Sequence, residues 1–305
     1  MRKKKICILG GSGFLGNHLT KYFKQKQFDV TCVSKNNVKF KINKVKYIKL
    51  NLEDYNEIKK KLNKNFDYVI NASGYINHNS FNNNGFEIYK NHFNIVLNLT
   101  KHLLNTKSLK KFVQLGTGDE YGENKSPLKE NMICMPKTPY AIAKNDITNL
   151  LFSLYKLEKF PSTVVRTFLV YGPEQKNGLI PHVIKSCLGN KKFNLTHCRQ
   201  VRDFIYIDDY LSGIDQIITS KQKEFKIYNI GSGKPIKLKL LIKTILNKIK
   251  KGKPNFNKLK TRIEETKVLY PSINKIRKSL NWRPKIDLNI GLDKTINYYY
   301  KLNRK

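Results

Sequence analysis

Short apolar runs alternate along this chain with longer stretches in which apolar residues recur every three or four positions. Ile6 to Leu9 is an uninterrupted apolar run, and the glycines after it lead into a helical pattern through Leu19, Tyr22 and Phe23. Such a run, bounded by turn residues, predicts a buried strand followed by a helix packed on it. The alternation continues. Val30–Val33 predicts a second strand, Lys46–Leu50 a third, Asp54–Leu62 a helix and Tyr68–Ile70 a fourth strand ending at Asn71-Ala72-Ser73-Gly74. Residues 77–85 form an Asn-rich loop, and a helix over Glu87–Leu104 precedes a fifth strand, Phe112–Leu115. A helix opens at Thr138-Pro139 and runs to about Lys156, and Thr163–Arg166 is a sixth strand leading to Tyr171-Gly172-Pro173. Strands separated by helices require crossover connections, so the expected class is α/β with a doubly wound parallel sheet. Beyond this the pattern loosens. Leu179–Cys187 reads as helix, Arg202–Asp209 as a short strand with charged ends, Tyr228–Gly233 as a strand running into a turn, and Leu238–Ile249 as an amphipathic helix. The expected organisation is one domain at 1–172 and a smaller lobe at 173–305, with segments near 202–232 returning to the first.

Three stretches carry chemistry. Gly10-Gly11-Ser12-Gly13-Phe14-Leu15-Gly16 is a glycine turn between a strand and a helix. Such a turn lets backbone amides approach a diphosphate at a helix N-terminus, although the spacing is G-x-x-G-x-x-G rather than G-x-G-x-x-G. After the second strand, where NAD enzymes place an acid for the ribose hydroxyls, the chain reads Ser34-Lys35-Asn36. A hydroxyl, an ammonium and an amide favour a 2′-phosphate, hence NADP(H), with NAD(H) the alternative. Thr138 is a suitable N-cap and Pro139 a suitable first-turn residue, which places Tyr140 and Lys144 on one helical face. A phenol beside an ammonium is a proton-transfer pair, because a cation favours phenolate. The same spacing also arises on ordinary amphipathic helices.

Composition narrows the classes. Lys and Arg total 59 against 22 Asp and Glu, a formal charge of +37, yet only eight of the 59 are Arg. The lysines are scattered rather than clustered, and no nucleic-acid-binding motif accompanies them, so nucleic acid is not the expected partner. Five cysteines, Cys7, Cys32, Cys134, Cys187 and Cys198, form no C-x-x-C pair, which argues against a disulfide framework or a metal site and for a reducing cytoplasm. No stretch is apolar enough to span a membrane, and the basic start before Ile6 reads as the approach to a strand rather than a leader.

The glycine turn, Thr117, Tyr140 and Lys144 together resemble the extended short-chain dehydrogenase/reductases, the nucleotide-sugar epimerases, dehydratases and reductases built on a Rossmann domain. The resemblance continues through Arg166–Pro173, Arg202–Asp209, Asn229–Gly233 and Leu280–Pro284. It implies Tyr140 as acid/base, Lys144 lowering the Tyr140 pKa and holding the nicotinamide ribose, and Thr117 bonding the reacting oxygen. Asp119 becomes a candidate base at carbon 5. Besides the glycines, Phe14, Leu15, Ser34, Lys35, Asn51, Leu52, Ala72 and Ser73 become cofactor contacts. Arg202 and Arg262, within Arg262-Ile263-Glu264-Glu265, become holders of a substrate diphosphate, with Asn177 and Leu169 near the sugar. Leu169 departs from the Asn usual in the family, and a structural pairing of Arg202 with Asp203 or Asp208 is the alternative for that arginine.

Gly116-Thr117-Gly118-Asp119-Glu120-Tyr121-Gly122 is most similar to nucleotide 4-keto-6-deoxysugar reductases. The 4,6-dehydratases carry an acid where this chain has Gly118. The resemblance therefore implies reduction of a nucleotide-linked 4-keto-6-deoxy sugar, in surface-polysaccharide sugar biosynthesis, by a homodimer paired through the Glu87–Leu104 and Pro139–Lys156 helices. The alternative is a 4-epimerase or 4,6-dehydratase with tightly bound NAD. A non-catalytic nucleotide-binding protein is the reading from a different class.

Overall fold

In the computed structural model, residues 2–38, 41–222, 224–262 and 265–304 are described. The chain divides into two compact units: Met1–Gly122 with Ile133–Arg166 and Ile214–Tyr228, and Glu123–Met132 with Thr167–Gly213 and Asn229–Lys305.

The first unit starts with β1 (Lys5–Leu9), α1 (Phe14–Gln25), β2 (Asp29–Ser34), β3 (Lys46–Lys49), α2 (Tyr55–Lys61) and β4 (Tyr68–Asn71). It continues with α3 (Phe86–Leu103), β5 (Lys111–Thr117), α4 (Pro139–Glu158) and β6 (Ser162–Thr167). The later elements are β7 (Leu169–Tyr171), α5 (Leu179–Leu188), β8 (Lys192–Asn194), β9 (Val201–Tyr206), α6 (Ile207–Thr219) and β10 (Lys226–Ile230). The chain closes with β11 (Pro235–Lys237), α7 (Leu238–Ile249), β12 (Lys253–Asn255), β13 (Val268–Leu269), α8 (Asn274–Leu280) and α9 (Leu288–Leu302).

Seven strands form one sheet in the order β10-β6-β5-β4-β1-β2-β3. β1 pairs in parallel with β2 and β4, β2 with β3, and β4 with β5. The chain winds outward from β1 through β2 and β3, then returns to β4 and winds the other way. The switch between β1 and β4 opens a crevice at the strands' carboxyl ends, where doubly wound folds bind ligands. Ile6, Cys7, Ile8 and Leu9 are all fully buried, as a central strand covered on both faces must be. Leu99 and Leu103 of α3 and Ile147 and Leu151 of α4 join the core with Leu9, Val69, Phe112 and Phe160.

The buried stripe of α4 runs Tyr140, Ala143, Lys144, Ile147, Thr148, Leu151, and that of α3 includes Ile88, His92, Val96 and Leu99. Both follow the helical period, and both carry polar residues where the period predicts apolar ones. Those exceptions mark the site.

Two local expectations change. Five residues of the Asn-rich loop, Phe81–Gly85, form a wide helical turn feeding α3, with Asn84 at φ 63°, a left-handed conformation that Asn tolerates. The predicted strand Arg202–Asp209 stops at Tyr206, and Asp208 and Asp209 fall in the first turn of α6 instead. Carboxylates there meet the helix's exposed N–H groups and the positive end of its dipole.

In the second unit β9 lies between β11 and β13 and also pairs with β7. Asp209 accepts the amides of Lys285 (3.0 Å) and Ile286 (2.8 Å), and the Trp282 indole donates to Ser212 Oγ at 2.9 Å. Asp203 is spent on the 232–234 turn, accepting Ser232 N at 2.6 Å and Lys234 N at 3.1 Å.

Candidate active site

The glycine turn is packed backbone against backbone. Gly10 has φ +79°, and a methyl added there would lie 2.5 Å from the Ala72 carbonyl oxygen; one added at Gly16 would lie 2.2 Å from that of Gly10. No other residue type fits either position. No side chain caps α1, and its first turn holds no acid. The amides of Phe14, Leu15 and Gly16 therefore lack the acceptor a capping residue would give, a need that a diphosphate oxygen could meet. The turn fits a dinucleotide.

At the tip of β2, the Ser34 hydroxyl donates to the Asn36 carbonyl, and the Lys35 ammonium lies 3.1 Å from Glu53 Oε1. Asn51 accepts the Glu53 amide on its Oδ1 at 3.3 Å, and Leu52 is buried. A carboxylate thus stands where the residues directly after β2 supplied none, brought in from beyond β3. At the tip of β4, Asn71 Oδ1 accepts both the amide and the hydroxyl of Ser73, while Asn71 Nδ2 donates to Gln114 Oε1 at 2.8 Å. This ties the end of β4 to the middle of β5, beside Ala72.

Three of the four expected catalytic residues are held in one small region of the first unit. Thr138 Oγ1 accepts the Ala141 amide at 3.2 Å, starting α4 as its sequence predicts. Tyr140 and Lys144 are each only 6% exposed. The Thr117 hydroxyl, which accepts the Asp119 amide at 3.2 Å, lies close enough to the Tyr140 phenol to act on its ionisation. The Lys144 ammonium donates to the Leu115 carbonyl at 3.0 Å, and lies 5.9 Å from the centre of the Tyr140 ring. Asp119, the fourth, is partly exposed, with Oδ2 4.0 Å from His78 Nε2. The His92 and His78 rings meet the Tyr140 ring edge to face, at centroid separations of 5.1 and 5.8 Å.

The electrostatics differ from the expectation that Lys144 lowers the Tyr140 pKa. Burial pushes the phenol well above its usual value, and the Asp119 charge adds to that; the Thr117 hydroxyl opposes both without winning. Burial also brings Lys144 down to about 8, with the Glu120 carboxylate working the other way. Burial lowers His92 to about 3, helped by the Lys144 charge, so its ring is neutral and donates from Nε2 to the Tyr75 carbonyl at 2.9 Å. The phenol is therefore protonated and the ammonium is poised near neutral pH.

Sequence reasoning missed four residues here. His92 and His78 had no motif, and reach Tyr140 through packing from α3 and the Asn-rich segment. Glu120 and Arg166 pair at 2.9 Å with the carboxylate wholly buried and the guanidinium side chain 3% exposed. Their only signal was a charged residue inside an otherwise apolar strand, Thr163–Arg166.

The substrate residues expected downstream belong to the second unit. Arg202 Nη2 donates to Glu265 Oε1 at 3.1 Å and its Nη1 to the Val201 carbonyl at 2.9 Å. Among the described residues the acid it pairs with is Glu265 rather than Asp203 or Asp208. Arg262 lies 3.9 Å from the same carboxylate and is half exposed. Ile263 and Glu264 lie outside the described residues. Asn177 is exposed, and Leu169 presents 41% of its surface. Among the described residues no cluster of three His, Cys, Asp or Glu side chains could hold a metal.

The chain is similar in sequence and in fold to known proteins. The chain is 32% identical over 274 residues to the dTDP-D-glucose 4,6-dehydratase of Dictyostelium discoideum, covering 80% of this chain. It is 33% identical over 210 residues to the UDP-glucuronate 4-epimerase of Thermodesulfobacterium geofontis, covering 66% of this chain. The aligned part is 62% of the length of each of these relatives. Its fold matches the UDP-glucuronic acid 4-epimerase of Bacillus cereus, solved with UDP-glucuronic acid and NAD, with a TM-score of 0.87 at 23% identity over 98% of this chain and 99% of that one. The model of the NAD dependent epimerase/dehydratase family matches residues 6–231. With the glycine turn and the Thr117, Tyr140 and Lys144 set all inside the matched span, this chain belongs to the NAD dependent epimerase/dehydratase family.

Proposed function

We propose that this protein is an NAD-dependent nucleotide-sugar 4-epimerase. The observation that carries the reading is the buried Tyr140 phenol with the Lys144 ammonium, anchored on the Leu115 carbonyl, 5.9 Å from its ring centre and the Thr117 hydroxyl acting on it. The relatives favour this reading over reduction of a 4-keto-6-deoxy sugar, which the Gly116–Gly122 segment suggested. Bound NAD supplies reversible hydride acceptance at sugar carbon 4. The amides of Phe14, Leu15 and Gly16 would hold its diphosphate, and Tyr140 and Lys144 would hold its nicotinamide ribose. The Lys35–Glu53 pair favours NAD over NADP, because Glu53 repels a 2′-phosphate and occupies the ammonium meant to receive it.

As phenolate, Tyr140 would take the proton of the 4-hydroxyl while hydride leaves carbon 4, and would return it to the same oxygen when hydride re-enters carbon 4 from the opposite face. Thr117 donates to the same oxygen and shares its developing charge. The depressed pKa of Lys144 makes the local positive charge sensitive to pH near 8. The substrate is a nucleoside-diphosphate hexose, its diphosphate matched to Arg202 and Arg262. The protein works as a homodimer.

Incubation with UDP-glucose, UDP-glucuronate and dTDP-glucose, followed by NMR of the products, tests this. The expected product is the carbon-4 epimer of at least one, without net consumption of added NAD. If none is inverted, the reading fails. Asp119, whose charge acts on Tyr140, supports one second reading: elimination to a 4-keto-6-deoxy sugar, which the same spectra would reveal.

A further inference from the structure

The most heavily buried charge in the first unit belongs to neither the cofactor turn nor the catalytic set. Glu120 is wholly inaccessible, and its two oxygens reach three separate elements. Oε1 accepts the Thr117 amide at 2.9 Å, at the end of β5. Oε2 accepts the Thr148 hydroxyl of α4 at 3.0 Å and Arg166 Nε of β6 at 2.9 Å. Arg166 in turn lies 4.4 Å over the Tyr121 ring and donates to Cys134 Sγ at 3.0 Å. Gly116 makes room for this: a methyl there would lie 2.4 Å from Glu120 Oε1.

The elements that Glu120 joins are the ones that carry the reactive groups. Thr117, whose amide it holds, presents its hydroxyl to Tyr140. Thr148 lies one turn beyond Lys144 and also donates to the Lys144 carbonyl at 3.1 Å. A buried carboxylate with a single cationic partner could be satisfied anywhere in the core; this one is shared between the strand end bearing Thr117 and the helix bearing Tyr140 and Lys144. Buried ion pairs are poor sources of stability, and the best-attested reason to keep one is that it fixes one arrangement.

We propose that Glu120 is a positioning residue for the carbon-4 reaction, holding Thr117 and α4 in the single register that brings the Thr117 hydroxyl, the Tyr140 phenol and the Lys144 ammonium to one point. This rests on the epimerase reading above. A second consequence follows from its charge. The groups acting on Lys144 are Glu120 on the turn and the neighbouring Tyr140 and His92 rings, while Asp119 acts on Tyr140 and Arg166 on Glu120. Among them Glu120 favours the ammonium form, so it keeps Lys144 charged to higher pH than burial alone would allow.

The test compares the wild-type holoenzyme with Glu120→Gln, which keeps the shape and an acceptor but loses the charge. Turnover is measured with the sugar panel, and Lys144 is titrated by NMR of its ε-carbon, the signal assigned by its loss in Lys144→Met. Glu120→Gln is expected to lower kcat on the order of 10- to 100-fold, the scale of a small misplacement of reacting groups. KM should stay within about threefold, since the substrate contacts are untouched. The Lys144 titration should move to lower pH. Wild-type kcat, or an unmoved Lys144 titration, overturns the proposal; a purely structural role would lower the melting temperature and leave the titration in place. Should Glu120→Gln fail to fold, Thr148→Val removes only the tether to α4. It is expected to lower kcat with the Lys144 titration unchanged, and unaltered kcat there overturns the proposal equally. Failure of the wild type to invert any sugar refutes the epimerase reading instead, and the titration still reads the effect of Glu120 on Lys144.

Discussion

A phenol buried to 6% exposure and flanked by two imidazole edges keeps its proton unless something draws it off. Tyr140→Phe keeps the ring and its packing, so folding and NAD binding should survive. Turnover should fall on the order of 100- to 10,000-fold, the span of a positioned acid/base. Thr117→Val removes one donor to the reacting oxygen and should cost about 10- to 1,000-fold in kcat. It also removes the acceptor for the Asp119 amide at 3.2 Å, so calorimetry should show a stability loss of about 1 kcal/mol. Lys144 has its pKa depressed by burial, to about 8, so its charge is complete below that value and lost as pH rises through it. A pH profile of kcat should therefore decline above about 8, and the decline should be absent in Lys144→Met. A profile flat to pH 10 in the wild type would count against any role for the ammonium.

At the scale of elements, the site depends on three close approaches. The β1–α1 turn has no room for a side chain at Gly16, where a methyl would meet the Gly10 carbonyl oxygen at 2.2 Å. Gly16→Ala should abolish NAD binding, measured by fluorescence titration, and lower the melting temperature, since only backbone can move aside. Gly85 likewise brings the start of α3 against Pro139, whose Cγ would lie 2.6 Å from an added methyl. The third approach is the Glu120–Arg166 pair between the turn and β6. Arg166→Met would strand a carboxylate with no access to water. Loss of one partner from such a pair costs about 3–5 kcal/mol, which denaturant titration would detect.

For the whole molecule, apolar surface and charge set how copies meet. On the two helices expected to pair copies of the chain, apolar residues at helical spacing include Ile95, Leu99 and Leu103 of α3 and Ile147, Leu151 and Leu154 of α4. The structure spends them within the chain: Leu99, Leu103, Ile147 and Leu151 are core, and Ile95 and Leu154 pack against it. The apolar side chains that remain exposed on these helices are Phe86, Leu97, Phe152 and Leu157. Sedimentation at micromolar concentration should give a dimer, and Leu97→Glu with Phe152→Glu should give a folded monomer; a wild-type monomer would exclude pairing through these helices. The formal charge of +37 repels one copy from another, so the dimer should tighten as salt is raised.

What the sequence determined by itself is short in range. Apolar runs, helical periods, the glycine turn and the Thr138-Pro139 start are written within a few residues of one another, and the strands and helices of the first unit formed close to where their patterns placed them, while the strand expected over Arg202–Asp209 gave way to α6 after Tyr206. The local rules also put Tyr140 and Lys144 on one face. Tertiary structure decided the rest, because desolvation and pairing depend on what distant segments bring. Arg166 reaches Glu120 across 46 positions, Glu265 reaches Arg202 across 63 and Glu53 reaches Lys35 across 18, and no motif records any of these pairs. The sign of the Tyr140 shift was of the same kind. The nearby lysine argued for a lowered pKa, but the folded chain removes water from the phenol and turns the Lys144 ammonium to the Leu115 carbonyl, so burial prevails over proximity.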